Sequence, residues 1–295
     1  MSARLLLAAA IALGLSPLVQ AEATTAMQQV AAANPLLKPS TLEYQFPPFD
    51  QIKDEHYLPA IEQGMREQLA EVAAIANQKE APSFDNTIVA LEKTGQLFNR
   101  ATTVFFNLSG TVTNDTMNKI RAEVAPKLAA HNDAILLNDA LFQRVKSLYD
   151  RKTELKLDAE SERLLWRYYT DFVRAGANVS GSGKETLKKL NGEIATLQTQ
   201  FTQNVLDETN ASGVYVEDRK LLDGLSENAI AAAESAAKAA GKDKGYLIAL
   251  VNTSGQPANA SLKDRDLRAQ LQKAAEQRCA VGGPYDNREI VLRLA

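Results

Sequence analysis

The chain has 295 residues and a formal net charge of −3, with 33 basic and 36 acidic residues scattered along it. This mild acidity lacks the clustered Lys and Arg of a nucleic-acid-binding surface, so we exclude nucleic acid as a partner. A single cysteine, Cys279, excludes an intramolecular disulfide. Stability must therefore come from a hydrophobic core, which a chain of this length can form.

The first 21 residues predict a secretory signal peptide. Arg4 supplies the positive start, Leu5–Leu15 is apolar, and Val19-Gln20-Ala21 fits the small-x-small cleavage rule. The apolar run is shorter than the roughly 20 residues that cross a bilayer, so an uncleaved anchor is the weaker alternative. We expect cleavage after Ala21, or else after Ala23, and a mature protein that is exported to the periplasm and not held in a membrane.

Residues 22–48 predict an extended N-terminal arm, because they show little periodicity and because Phe46-Pro47-Pro48-Phe49 cannot be helical at its centre. From Asp54 onward, apolar residues recur at spacings of three and four, which is typical of amphipathic helices. Ser83 or Asp85 is expected to cap the second helix. The first stripe consists of Leu58, Ile61, Met65, Leu69, Val72 and Ile75.

Further stripes over Met117–Tyr149 and Ser161–Val173 predict more helices. A Gly/Ser turn at Gly176–Gly183 then leads into a long stripe, which together with the preceding helix predicts a helical hairpin. The residues of this second arm are Leu187, Leu190, Ile194, Leu197, Phe201 and Leu206.

Two short β-strands are predicted near 213–217 and 246–251, with an Ala-rich helix over Ser226–Ala240 between them. Ser261–Ala280 predicts one more full helix before a Gly282-Gly283-Pro284 turn. No repeat and no long linker divides the chain. We therefore expect a mostly α fold, with one helical domain over 49–295.

The last ten residues predict a helix that is cut within its length. Asp286 is a good N-cap, Glu289 lies in the first turn, and Ile290 and Leu294 begin an apolar stripe. No Gly, Asn or Pro follows to end the helix. We therefore expect the domain to be incomplete at its C-terminus, with the catalytic residues of the intact protein beyond Ala295.

A search for catalytic motifs assigns no catalytic, cofactor-binding or metal-ligating residue. His56 and His131 are the only histidines, so H-E-x-x-H is absent, and a site joining both to a distant carboxylate is the less favoured alternative. Gly181-Ser182-Gly183-Lys184 lacks the first glycine and the preceding strand of a phosphate loop, which favours a helix–helix turn. Cys279, in an Ala-rich helical stretch, is interpreted as a buried structural thiol.

Four stretches of the mature chain together resemble the N-terminal region of the thimet-oligopeptidase family of zinc metallopeptidases, which includes oligopeptidase A and peptidyl-dipeptidase (dipeptidyl carboxypeptidase). The export signal is similar to that of the secreted bacterial peptidyl-dipeptidase branch. The stretches are Phe49–Ile61 with Pro82–Ile88; Leu164–Ala177, which ends in Phe172-Val173-Arg174-Ala175-Gly176-Ala177; Leu190–Thr209; and Asp266-Leu267-Arg268 with Arg278 and Tyr285-Asp286-Asn287-Arg288-Glu289-Ile290.

The resemblance implies that this helical region is one wall of a deep channel that admits short peptides. It also implies that the intact protein is a monomer and holds Zn²⁺ through H-E-x-x-H and a downstream Glu, in a catalytic half that faces this wall. Family members are more than twice as long as this chain, and none of those residues can be placed on it. We therefore expect no zinc bound by this chain and no activity from it alone.

Three hypotheses remain open. In the first, the chain is the N-terminal part of an exported zinc peptidase that releases C-terminal dipeptides. In the second, it is a stand-alone helical protein that binds peptides or a partner. In the third, it is an enzyme that uses His56, His131 or Cys279. The uncapped last helix favours the first hypothesis over the second, and the lack of catalytic motifs argues against the third.

Overall fold

The structure is a computed structural model, and it describes residues 34–251 and 255–295. The predicted signal peptide and the first part of the predicted arm lie outside the described residues. The described residues form two compact units, and the predicted single helical domain over 49–295 stays a prediction. Unit 1 comprises residues up to Ile120 together with Ala134–Ala175, and unit 2 comprises Arg121–Asp133 together with Gly176–Ala295.

The described residues are 68% helical and include one pair of antiparallel strands, which confirms the predicted mostly α fold. The elements are α1 (Asp54–Ala76), α2 (a π-helical turn Phe84–Val89 continuing into Ala90–Glu92), α3 (Gln96–Thr111), α4 (Asp115–Leu136), α5 (Asp139–Asp150), α6 (Ala159–Ala175), α7 (Ser182–Ala211), β1 (Gly213–Val216), α8 (Glu227–Ala239), β2 (Tyr246–Ala249), α9 (Arg265–Glu276) and α10 (Arg288–Leu294). Short 3-10 helices lie at Pro35–Leu37, Glu43–Gln45, Arg219–Leu222 and Pro257–Ala260. Among the described residues, no helix has the length and hydrophobicity needed to cross a membrane.

Unit 1 is built on the contact between α1 and α3. A Cβ atom on Gly64 of α1 would lie 2.5 Å from Cα of Phe98 in α3, so a glycine is what lets the two helices approach this closely. Tyr57 and Phe105 fill the interface beside it, with ring centroids 5.3 Å apart and both side chains buried. The close approach therefore provides the centre of the unit's core.

The loop between α1 and α2 is fixed by a buried arginine. The Arg144 guanidinium of α5 donates to the carbonyl oxygen of Glu80 at 3.0 Å and to the side-chain oxygen of Asn86 at 2.8 Å. Asn86 in turn forms a capping box with Ser83, which confirms Ser83 as the cap. Burial lowers the pKa of Arg144 from its ordinary value, and these acceptors engage its two terminal nitrogens, whereas its buried Nε has no hydrogen-bond partner among the described residues.

Unit 2 has a smaller core around the two strands. β1 and β2 pair antiparallel with Gly213 opposite Ala249 and Val216 opposite Tyr246, and both strands are slightly shorter than predicted. α8 packs against β2 and α9 packs against β1. The buried cluster consists of Val216, Leu222, Ile230, Ile248, Leu250, Leu262, Leu267 and Leu271.

Three predicted helix boundaries are wrong, and at two of them a side-chain cap competes with the apolar pattern. The Met117–Tyr149 stripe is two helices, since the Asn138 side chain accepts from the Leu141 backbone N–H and starts α5. The helix predicted over Ser261–Ala280 begins only after Asp264, which caps α9, and it ends at Glu276. The N-cap of α10 is Asn287, not Asp286.

The two helices of the predicted hairpin are present as α6 and α7, with a turn of residues 176–181 between them. Gly176 has a φ of 101°, the left-handed conformation that ends helices. α6 belongs to unit 1 and α7 to unit 2. In the described part of the predicted arm, Phe46–Pro48 is not helical, as expected from its prolines.

Candidate functional site

The two histidines lie in different units and have local structural surroundings. His56 is the third residue of α1, and its Nδ1 accepts from the Lys53 backbone N–H at 3.1 Å, which caps the helix start. The carbonyl oxygen of His56 accepts from the Asn34 side chain at 2.8 Å. His131 is buried in the part of α4 that belongs to unit 2, and burial lowers its pKa. Neither side chain points to a catalytic role.

Cys279 is buried, which confirms its interpretation as a structural thiol. Burial first, and then a hydrogen bond with the Glu208 carboxylate, raises the pKa of the thiol to about 12. Glu208 also accepts a hydrogen bond from the Cys279 backbone N–H, so one carboxylate contacts both the backbone and the thiol of this residue. A thiol with such a pKa stays protonated at neutral pH and is a poor nucleophile.

The Gly181–Lys184 segment starts α7 directly after the turn that follows α6. The helix–helix turn predicted for it is therefore confirmed. Across residues 34–251 and 255–295, no group of three or more His, Cys, Asp or Glu side chains is arranged to hold a metal ion. The described residues thus do not fit Zn²⁺, which requires three or four such ligands.

The residues of the fourth resembling stretch hold unit 2 together by hydrogen bonds. Asn287 donates to the carbonyl oxygen of Phe201 at 3.1 Å and accepts from the side chain of Asn204 at 2.8 Å, so it joins the start of α10 to α7. Asn204 and Asn287 are both buried. These residues therefore fix the fold rather than perform chemistry.

Two arginines of the same stretch tie loops to helices. Arg278 donates to Thr209 Oγ1 at 3.0 Å and to the carbonyl oxygen of Val251 at 3.1 Å. Arg268 donates to the carbonyl oxygens of Leu262 and Lys263 at 2.7 and 2.8 Å. Charge-assisted bonds of this kind are stronger than neutral ones. An arginine suits each position because its guanidinium donates to two acceptors at once.

A surface groove of about 720 Å³ runs between α8 and β2 in unit 2. One side consists of four alanines of α8 at helical spacing, and the other includes Leu247–Ala249 and Val251. The full lining is Gly224, Leu225, Ser226, Ala229, Ala232, Ala233, Ala236, Leu247, Ile248, Ala249, Val251, Pro257, Ala258 and Ser261. None of these lining side chains carries a charge, so the groove suits apolar groups.

Sequence reasoning did not identify this groove. The spacing of Ala229, Ala232, Ala233 and Ala236 marks one face of α8, and it was the available signal. That β2 lies opposite this face depends on tertiary packing and could not be read from the spacing.

Comparison with known proteins finds relatives that are peptidases. The chain is 43% identical over 263 residues to dipeptidyl carboxypeptidase of Salmonella typhimurium, covering 89% of this chain and 39% of the relative. It is 42% identical over 261 residues to dipeptidyl carboxypeptidase of Escherichia coli, covering 88% and 38%. Oligopeptidase A of Haemophilus influenzae is 25% identical over 266 residues, covering 89% and 38%. No protein-family model matches the chain.

The resemblance predicted from the sequence is therefore confirmed. The chain is homologous to the peptidase family that contains dipeptidyl carboxypeptidase and oligopeptidase A, and it matches the N-terminal part of these proteins. It spans about 39% of the length of the dipeptidyl carboxypeptidase that it matches.

Proposed function

We propose that this chain is the N-terminal part of an exported zinc peptidase that hydrolyses short peptides and releases dipeptides from their C-termini. The observation that carries the proposal is the 43% identity to a dipeptidyl carboxypeptidase over 89% of the chain. The same relative is much longer than the matched region. The proposed activity is therefore that of the whole protein, and this chain is proposed to supply one part of it.

In this proposal the zinc site lies on residues outside this chain. The described residues offer no cluster of ligands, and His56 already uses Nδ1 as a helix cap. A bound zinc would supply a Lewis acid and an activated water for peptide hydrolysis. The residues of this chain would instead bind and orient the substrate.

The groove of unit 2 is the surface on which we place that role. Its lining is apolar and its volume falls within the range of pockets that hold small ligands, about 300–1,000 Å³. Apolar side chains of a short peptide would gain free energy by leaving water there, at about 25 cal/mol per Å² buried. A groove without charged lining residues would select little among apolar sequences.

α7 provides a surface for the remainder of the peptidase. Leu190, Ile194 and Phe201 follow one another on one stripe of this helix and remain 41%, 39% and 36% exposed. An apolar stripe of this kind is typical of a surface that is covered by further protein. In the proposal, the catalytic part covers it, and the complete protein acts as a monomer exported by the signal peptide over residues 1–21.

The experiment that tests this function is a chimera. The segment of Escherichia coli dipeptidyl carboxypeptidase that aligns with this chain is replaced by the corresponding residues of this chain, and release of dipeptides from a blocked pentapeptide is measured. We expect the chimera to release C-terminal dipeptides in a zinc-dependent reaction. The control is the Escherichia coli protein from which the segment is deleted, and it should be inactive.

The 295-residue chain is assayed in parallel with added zinc. We expect no hydrolysis and no stoichiometric zinc after dialysis. Hydrolysis by the chain alone, abolished by His56→Gln or His131→Gln, would contradict the proposal and favour an enzyme that uses its own histidines. A folded chimera that binds zinc but releases no dipeptide would refute the assignment of activity.

A further inference from the structure

A second pocket lies in unit 1, where the loop after α5 meets the first two turns of α6. Its volume is about 290 Å³, and it is lined by Lys152, Ala159, Glu162, Arg163 and Trp166. The four residues from α6 are spaced by three and four, so they occupy one face of the helix. The pocket therefore combines a rigid helical wall with one side chain from the preceding loop.

The two cations of this pocket are held against aromatic rings. The Arg163 guanidinium lies over the Trp166 ring, 3.9 Å from its centroid, and Lys152 Nζ lies 4.3 Å from the centroid of Tyr149. The Tyr149 ring is itself stacked on Tyr169 with the centroids 3.9 Å apart. Stacking of this kind limits the positions that a long cationic side chain samples, so part of the entropy cost of binding is already met.

Neither cation has a carboxylate partner within ion-pair distance among the described residues, whereas their neighbours do. On α5, Lys146 pairs with Asp150 at 2.5 Å, and on α6 Arg167 pairs with Asp171 at 3.5 Å. Glu162 also lines the pocket, so one carboxylate lies beside the two cations. Two cations and one carboxylate therefore give the pocket an excess of positive charge.

We propose that this pocket binds the carboxylate of an acidic side chain in a peptide. A planar carboxylate matches the fork of donors on Arg163, and Lys152 adds a second positive charge. The volume lies at the lower limit of small-molecule pockets, which suits a single side chain rather than a whole peptide. The choice of a peptide as the source of the carboxylate rests on the proposed function.

Trp166 makes the proposal directly measurable, because it is the only tryptophan of the chain. A ligand that enters the pocket changes the surroundings of this ring, so emission excited at a wavelength selective for tryptophan reports binding at this place alone. The probe is acetyl-Glu-Ala-Glu-amide, and its neutral match is acetyl-Gln-Ala-Gln-amide. Both are titrated into the 295-residue chain at low ionic strength.

We expect the acidic peptide to bind at least about tenfold more tightly than the neutral one, and its affinity to fall as salt is added. Arg163→Gln and Lys152→Gln should each raise the dissociation constant at least about fivefold. Glu162→Gln should lower it about two- to fivefold, since it removes a like charge. Arg167→Gln, the control with the same change of charge on the same helix, should stay within about twofold.

Several results would overturn the proposal. Equal affinity for the acidic and neutral peptides would show that charge does not govern the pocket, and equal effects of Arg163→Gln and Arg167→Gln would show that only the net charge matters. Tighter binding of inorganic phosphate or of a single-stranded oligonucleotide than of the acidic peptide would reassign the pocket to phosphate groups. Binding of succinate as tight as that of the acidic peptide would reassign it to free dicarboxylates.

Folding of each variant is checked by far-ultraviolet circular dichroism, and Lys152→Gln, in the loop, serves where Arg163→Gln disturbs α6. The result also separates this inference from the proposed function. A chimera that releases dipeptides while Trp166 shows no response to the acidic peptide refutes the pocket alone.

Discussion

α1 of unit 1 and α7 of unit 2 have the same kind of sequence but differ in burial. Both carry apolar residues at spacings of three and four over at least five turns. In the stripe of α1, Ile61, Met65, Val72 and Ile75 are buried, and Leu58 and Leu69 are half-buried. The buried residues of α7 are Lys184, Asn204 and Thr209, while its apolar stripe stays partly exposed.

The difference shows that periodicity predicts the face of a helix but not what covers that face. α1 has a partner in α3, which approaches it through Gly64. The stripe of α7 has no comparable cover in the described part of the chain, and the relatives that this chain matches have a further three fifths of their length outside the match. The exposed stripe therefore agrees with a segment of a larger peptidase.

The largest expected contrast is between two phenylalanines. Phe105→Ala in α3 removes a fully buried ring and should lower the free energy of unfolding by about 3–5 kcal/mol. Phe201→Ala in α7 removes a ring that is 36% exposed, and we expect a loss of less than about 1.5 kcal/mol. Urea unfolding followed by circular dichroism measures both, with Trp166 emission as a probe of unit 1. Equal losses would contradict the comparison.

A pair of helical glycines sharpens the same contrast. Gly64→Ala places a Cβ atom against the backbone of Phe98 and should destabilise unit 1 by about 1–3 kcal/mol. Gly192→Ala in α7 meets nothing within 4 Å and should stabilise the helix by up to about 1 kcal/mol. Opposite signs in thermal unfolding are the expected outcome. A stabilising Gly64→Ala would show that α1 and α3 are not in close contact.

A third test addresses the buried hydrogen bond between Asn204 and Asn287 in unit 2. Asn204→Ala leaves the buried side-chain oxygen of Asn287 without its 2.8 Å donor and should cost about 1–3 kcal/mol. Thr196→Ala, on an exposed position of the same helix, should change stability by no more than about 0.5 kcal/mol. If both variants unfold at the same urea concentration, the hydrogen bond does not hold α10 to α7.

The smallest effect concerns pH. Burial lowers the pKa of His131 below its ordinary 6.5, so between these two values the unfolded chain binds more protons than the folded one. The stability contributed by neutral His131 is complete above pH 6.5 and is lost as pH falls through the folded pKa, at no more than about 1.4 kcal/mol per pH unit. His131→Gln should flatten this part of the profile in urea unfolding between pH 8 and 5. An unchanged slope would contradict the assignment.

Local signals allowed much of the fold to be predicted from sequence. The cap at Ser83, the Gly176 turn and the strands around Val214 and Ile248 all depend on near neighbours, and the structure confirms them. The break at Asn138 was missed because the apolar stripe continues across it, although the Asn cap ends one helix and begins another.

Contacts between distant residues could not be predicted in this way. Asn204 and Asn287 are 83 positions apart, and resemblance marked their stretches without showing that the two side chains meet. The groove and the Trp166 pocket each need two elements to come together in space. Residue spacing along one element carries no information on that juxtaposition.

The measurement that tests the central claim most directly is the sequence of the encoding DNA beyond the codon for Ala295, translated in all three frames. We predict a continuation, in frame or after a single shift, that carries H-E-x-x-H and resembles the rest of dipeptidyl carboxypeptidase. A stop codon followed by unrelated sequence would contradict the claim and favour a stand-alone helical protein that binds peptides without hydrolysing them.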